Sequence, residues 1–174
     1  GADLAYTVDG GALGELEYEN FNAARADITV NGKSTHTGTA KGIMKNSVTI
    51  AMELNSMLPS NEVPEKTSGK EGFYHIDEIV GCVDQTKMKY IIRDFDMKVL
   101  NNRKEVLKNA TDVLNKKYGA GTIVLDIKDQ YYNMLEKINE NKQVVDIAYR
   151  AIKECGIEPK VSPIRGGTDG ARLS

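Results

Sequence analysis

MKYIIRDF over residues 88–95, KVLNNRKEVLKNATDVLNKKY over 98–118 and IVLDI over 123–127 read in succession as strand, helix and strand. Ile123, Leu125 and Ile127 alternate, as on a strand with one buried face. In the middle segment Val99, Leu100, Val106, Leu107, Ala110, Val113 and Leu114 fall on one side of a helix, and the Lys- and Arg-rich opposite side reads as a solvated surface. Gly119 and Gly121 stop that helix.

Working outward, 73–83 is a further strand, joined to 88–95 by a short connection at 84–87. Upstream, 24–30 alternates Ala26, Ile28 and Val30 against polar neighbours and ends at Asn31-Gly32, a half-buried strand running into a turn. From 40 to 58 the spacing predicts a helix with two stripes, Ile43, Ile50, Leu54 and Met57 beside Met44, Val48, Ala51 and Met52. So wide an apolar arc fits a flank that meets a partner, or equally a deeply seated core helix. The Pro-, Ser- and Gly-containing stretch 59–70 is expected to be a mobile loop. The order strand-helix-strand-strand-helix-strand over 24–130 is the ferredoxin-like βαββαβ arrangement of an α+β protein. It implies an antiparallel four-stranded sheet with both helices on one face. Topology alone says nothing about activity.

Outside that unit the pattern changes. Residues 1–21 read as a strand (3–8), a Gly-Gly turn and an acidic strand carrying Glu15, Glu17 and Glu19. Residues 142–155 form a helix with Val144, Ile147, Ala148, Ala151, Ile152 and Cys155 on one face, closed by Gly156. Two ends that flank an inserted module suggest a discontinuous α/β second domain, giving divisions at 1–21, 22–131 and 132–174.

The 174 residues permit one ordinary domain, or a smaller one with pieces of a neighbour attached. A composition of 40% hydrophobic and 28% charged residues, with no bilayer-length apolar run, is that of a soluble globular protein. A net charge of −2, from 23 basic and 25 acidic residues, provides no field for gripping nucleic acid. Neither a nucleic-acid nor a membrane partner is expected. No basic stretch precedes an apolar run at the beginning, and Cys82 and Cys155 lack C-x-x-C spacing, so two buried, reduced thiols in a cytoplasmic protein are expected.

A few residues stand out for chemistry. Asp9, at a strand end before Gly10-Gly11, has the setting of a metal ligand, although Asp-Gly by itself is a turn. His36, in a polar loop before the first helix, has an imidazole suited to donating to a carboxylate or oxyanion; read alone it is an exposed loop residue. Arg93 puts a cation in an apolar strand and needs an anionic partner, either a structural salt bridge or a substrate carboxylate. Asp94 points to the opposite face. Arg165, Gly166, Gly167, Thr168 and Asp169 look like a glycine loop opening a helix, with Thr168 or Asp169 as N-cap and anion-binding N–H groups. His75, in mid-strand, reads as a packed residue. With two histidines about forty residues apart and few clustered acids, the chain does not assemble a full catalytic metal site, which needs three or more protein ligands.

Taken together, AYTVDGG (5–11), GELEYENFNAA (14–24), THTGTAKGIMKN (35–46), EGFYH (71–75), YIIRDFD (90–96), YYNM (131–134) and PIRGGTDGA (163–171) closely resemble the peptidase T family. These are tripeptide aminopeptidases among the co-catalytic di-zinc metallopeptidases. The likeness covers essentially the whole chain, with the motifs in the same order, and is to the inserted lid, or dimerisation, domain with catalytic-domain segments on both sides. It implies that Asp9 is a zinc ligand and that His36 reaches the partner subunit's site in a homodimer to help bind the tetrahedral intermediate. It implies too that Arg93 and Arg165 contact the peptide at its C-terminal carboxylate, and that Gly166 to Asp169 form the substrate-side loop. Two zinc ions are expected in a full-length parent and none stoichiometric in this chain, because the remaining ligands and the general base are expected outside it. Thr37 departs from the family, where proline commonly follows the lid histidine. The competing expectation is a non-catalytic ferredoxin-like dimerisation or regulatory module, for which TVDGG and PIRGGTDG would be idle tails.

Overall fold

In a computed structural model, which describes residues 4–173, the chain divides into two compact units, residues 23–130 and residues 1–22 with 131–174.

In the 23–130 unit the strands are β2 (Asn22–Asn31), β3 (Phe73–Gly81), β4 (Gln85–Asp94) and β5 (Ile123–Tyr131), following a short β1 (Glu15–Leu16) that belongs to the other unit. They form an antiparallel sheet in the order β3-β4-β2-β5, which is the ferredoxin-like topology expected. From Ala24 onward β2 alternates: Ala24, Ala26, Ile28 and Val30 are buried, and Arg25, Asp27 and Thr29 are half-buried on the other face. Met88, Tyr90 and Ile92 of β4 join the same core, which is closed by Ile50, Leu54, Leu100, Leu107 and Leu114 from helices α1 (Ser47–Ser56) and α2 (Met97–Tyr118). Burying large aliphatic side chains of this kind is worth about 1.5–3 kcal/mol each, so this face holds the unit together. The β3–β4 register runs from Phe73 opposite Arg93 to Gly81 opposite Thr86, with a bulge between Ile76 and Glu78. The extra residue, Asp77, reverses the side-chain alternation and sets Glu78 opposite Lys89, with which it pairs.

Several boundaries differ from the sequence reading for identifiable reasons. The first helix starts at Ser47 rather than 40. The backbone of Lys45 is already committed to Lys33 (N–H to O distances 2.7 and 2.9 Å), and Asn46 then caps the helix by accepting from Val48 and Thr49 N–H at 3.0 and 3.4 Å. Ile43 and Met44 therefore lie outside the helix, and its inward stripe is Ile50, Ala51 and Leu54, with Met52 65% exposed. The β3–β4 connection is 82–84, because the Val83 and Asp84 carbonyls accept from Ser47 and Gly32 instead of from the hairpin. Residues 59–70 contain a 3-10 turn, Pro64–Lys66. Their Glu62 carboxylate pairs with Arg103. Arg103 is itself the exception on the face of α2 expected to be solvated: it is buried, with Nε 2.8 Å from Asp94 Oδ2. His75 is half-exposed, its Nε2 3.8 Å from Asp77.

In the other unit β1 pairs in parallel with β6 (Lys160–Val161), Glu15 opposite Lys160. Gly14 sits at φ +85°, and a methyl group there would stand 2.5 Å from the Glu158 carbonyl oxygen, so only glycine fits this turn. Helices α3 (Leu135–Glu140), α4 (Gln143–Glu154) and α5 (Gly170–Leu173) complete it. The strand expected over 3–8 is absent from its described part, 4–8; Asp3 lies outside the described residues. On α4 only Val144 is buried and Ile147 is 44% exposed, since the short elements around it cover little more than its first turn. Both cysteines are exposed rather than buried, Cys82 in the hairpin connection and Cys155 at the C-cap of α4.

Candidate functional site

His36 lies on a loop pinched at its neck by the Lys33–Lys45 pairing. Gly32, at the entry, donates its N–H to Asp84 O at 2.7 Å; a side chain there would collide with the Val83 carbonyl, so glycine alone permits the close crossing. Asp84 also accepts from Ser34 N–H at 3.1 Å, and Lys45 Nζ donates to the Tyr118 carbonyl at the end of α2. The exposed tip is thus carried on a fixed neck. His36 caps a 3-10 turn, Thr37–Thr39, with Nδ1 accepting the Gly38 N–H at 3.1 Å. With Nδ1 used as acceptor, the ring hydrogen sits on Nε2, and the imidazole presents a donor outward from an exposed loop.

Arg93 is held by its own sheet. Its Nη1 donates to the carbonyls of Ala24 and Ile92 at 3.1 and 3.0 Å, and Nη2 to Gln130 Oε1 at 3.1 Å. Ala24 lies near the start of β2 and His36 follows its end, so the two residues belong to opposite ends of the sheet.

Asp9 and the glycine loop belong to the other unit. Asp9 is exposed, and its Oδ1 accepts from Gly10 N–H at 2.7 Å. Its charge, with that of Glu15, adds to partial burial in pushing the Glu17 carboxyl above its ordinary pKa; burial is the larger cause. Acidic groups crowded in this way suit a cation. Among the described residues, however, no three His, Cys, Asp or Glu side chains come together as a metal-binding group. The side chains present offer Asp9 as a single ligand and do not by themselves hold a zinc pair.

The segment leading to the glycine loop runs alongside 14–20: Lys160 N–H bonds to Gly14 O at 2.7 Å and Ile164 N–H to Glu19 O at 2.8 Å. The Arg165 guanidinium then lies over the Phe21 ring, 5.2 Å from its centroid. Gly167 lies on Tyr131, where a methyl group would come within 2.9 Å of the ring carbons. The helix expected to follow is the four-residue α5, in which Ala171 N–H bonds to Thr168 O at 3.2 Å. One turn adds little dipole, so Arg165 is the main positive feature of this loop.

Beneath the loop is a buried asparagine network that the sequence reading did not single out. Asn20 Nδ2 donates to Tyr132 O at 3.1 Å and to Phe21 O at 2.9 Å, and Asn20 Oδ1 accepts from Met134 N–H at 2.9 Å. Asn133 Oδ1 accepts from Asn20 N–H at 3.2 Å, while Asn133 N–H donates to Asn22 Oδ1 at 2.8 Å. The signal available was the presence of ENFN and YYNM among the family motifs; a separation of 113 residues hides the pairing.

Comparison with known proteins gives a consistent picture. Residues 18–122 match the family described as the peptidase dimerisation domain. The chain is 60% identical over 173 residues to a protein named peptidase T from Clostridium novyi (strain NT), covering 99% of this chain and 42% of that one. It is 60% identical, with the same coverage, to one of that name from Bacillus subtilis (strain 168). It thus spans 42% of the length of these curated relatives. A tripeptidase crystal structure from Staphylococcus aureus matches with a TM-score of 0.84 over 99% of this chain and 46% of that one; at 20% identity this likeness speaks for the fold.

Proposed function

The chain belongs to the peptidase dimerisation domain family, and from that membership we propose that it is the lid and dimerisation portion of a zinc-dependent aminopeptidase releasing the N-terminal residue from tripeptides. The observation that carries this reading is its chain-long identity to proteins named peptidase T, which extends beyond the sheet unit to both flanking segments.

In this reading Asp9 supplies one zinc ligand, and the other ligands come from the rest of the complete peptidase. His36 donates from Nε2 to the tetrahedral intermediate in the partner subunit's site of a homodimer formed through the sheet unit. A loop carried on a fixed neck, with an outward donor, supports that role, because donors of this kind work by being pre-positioned. Arg93 and Arg165 meet the peptide, and Gly166 to Asp169 border it. The three hydrogen bonds at Arg93 favour a guanidinium oriented in advance. Two unpaired thiols suit a cytoplasmic setting, and no helix among the described residues is long and apolar enough to cross a membrane.

The test is metal content and tripeptide hydrolysis, measured on this 174-residue chain beside the complete peptidase. About two zinc ions and chelator-sensitive hydrolysis in the complete protein, with neither in this chain, are expected. Chelator-resistant hydrolysis, or stoichiometric zinc on this chain, contradicts the reading.

A further inference from the structure

We propose that Phe21 and Tyr131 are positioning residues for Arg165, fixing the 165–169 loop so that the guanidinium is aimed at the carboxylate of a peptide substrate. The proposal rests on the reading of Arg165 as a carboxylate-binding residue.

The two rings have different tasks. Phe21 is fully buried and the exposed Arg165 lies over it, so the guanidinium rests on a ring that is itself fixed in the interior. A guanidinium held over an aromatic ring combines a cation–π contact with the planar fork that suits a carboxylate. Tyr131 acts on the backbone. Its ring occupies the space that a side chain at residue 167 would need, so the glycine lets the loop lie flat against the aromatic surface.

Neither ring shifts independently. Asn20 bonds to the Phe21 carbonyl on one side and to Tyr132 O and Met134 N–H on the other, which ties the backbone beside both rings into one buried polar network. The Ile164 N–H bond to Glu19 O fastens the residue before Arg165 to the residue before Asn20. Gly170, at the far end of the loop, lies against Met134, where a methyl group would stand 3.4 Å from Sδ. The loop is seated at its start, middle and end on Phe21, Tyr131 and Met134, of which Phe21 and Met134 bond to Asn20 and Tyr131 precedes Tyr132, which does. Buried networks in which every polar atom is satisfied are rigid, and rigidity here is transmitted to a surface arginine.

The test compares KM for a free-acid tripeptide with KM for the same peptide amidated at its C-terminus, in the complete peptidase. Arg165→Met should raise KM for the acid roughly 10- to 100-fold relative to the amide, the loss of a charged hydrogen-bonding group. Phe21→Leu and Tyr131→Ala should raise the same acid-to-amide ratio roughly 3- to 5-fold, the equivalent of an exposed cation–π contact, with kcat for the amide preserved. Tyr131→Phe, which keeps the ring, should restore the ratio lost in Tyr131→Ala. Gly167→Ala places its methyl against the Tyr131 ring and removes no side chain of the asparagine network; it should reproduce the Tyr131→Ala ratio even if the ring variants fold poorly. An unchanged ratio in the folded ring variants and in Gly167→Ala, beside a raised ratio in Arg165→Met, overturns the positioning role alone. An unchanged ratio in Arg165→Met overturns the carboxylate reading, and the proposal with it.

Discussion

The imidazole of His36 rests against Gly38: Nδ1 accepts the Gly38 N–H at 3.1 Å, and a methyl group on Gly38 would stand 3.1 Å from Cε1 and 3.2 Å from Nδ1. The ring is aimed by a glycine two residues on. Gly38→Ala should therefore tilt it and lower kcat of the complete peptidase by roughly 10- to 100-fold, the scale of a misplaced catalytic group. His36→Ala should lower kcat by about 100- to 1000-fold with little change in KM, as removal of an oxyanion donor does. Steady-state kinetics checks both. Unchanged kcat with raised KM in His36→Ala refutes the role.

Arg103 joins α2 to Asp94 at the end of β4 and to Glu62 in the 59–70 connection, its side chain 10% exposed and that of Asp94 7%. Removing one partner leaves a buried charge uncompensated. Arg103→Met should cost about 3–5 kcal/mol, and the Asp94→Asn/Arg103→Met double variant clearly less than the sum of the two single changes. Urea unfolding of each variant gives the comparison.

Glu53 receives hydrogen bonds from Lys117 Nζ and Tyr118 Oη, both 2.6 Å, which hold its pKa below the ordinary 4.5; the Lys117 bond is the larger cause. A carboxyl depressed in the fold stabilises it fully above its unfolded value and loses that contribution as pH falls through the native value. Glu53→Gln should thus melt below the parent near pH 7, by a margin that narrows as the pH falls below the ordinary carboxylate value. A melting difference that persists undiminished at the acid end contradicts the assignment.

Met52 is the most exposed apolar residue of α1 and makes no part of the core. If the homodimer uses this helix, Met52→Asp should weaken self-association in sedimentation equilibrium while leaving the melting transition near that of the parent. Dimerisation as tight as the parent's removes α1 from the interface.

Much of the sheet unit was legible because its signals are local. The alternation on β2 and β5 and the single face of α2 follow from residues two to four apart. The start of α1 was misread because Ile43 and Met44 extend the helical period by coincidence, while Gly42 at φ +73° and the pairing of Lys45 with Lys33 end any regular turn there. Asp77 looks like any other strand residue, and only the register with β4 shows the bulge. Arg103 was hidden among surface cations because its partners lie 9 and 41 residues away. The candidate residues were identified through the resemblance. Their supports were not, since Phe21, Asn20 and Tyr131 look like core residues until the chain brings the 165–169 loop onto them.

Complementation tests most directly whether His36 serves the active site of the other subunit. Complete peptidase carrying His36→Ala and complete peptidase carrying Asp9→Ala are each expected to be nearly inactive. When the two are dissociated, mixed in equal amounts and reassociated, half the dimers pair one of each, and every such pair contains one site with both residues intact. Recovery of about a quarter of parental activity is predicted for random pairing across a two-fold interface. Mixtures that stay as inactive as their components, despite verified exchange of subunits, contradict the claim.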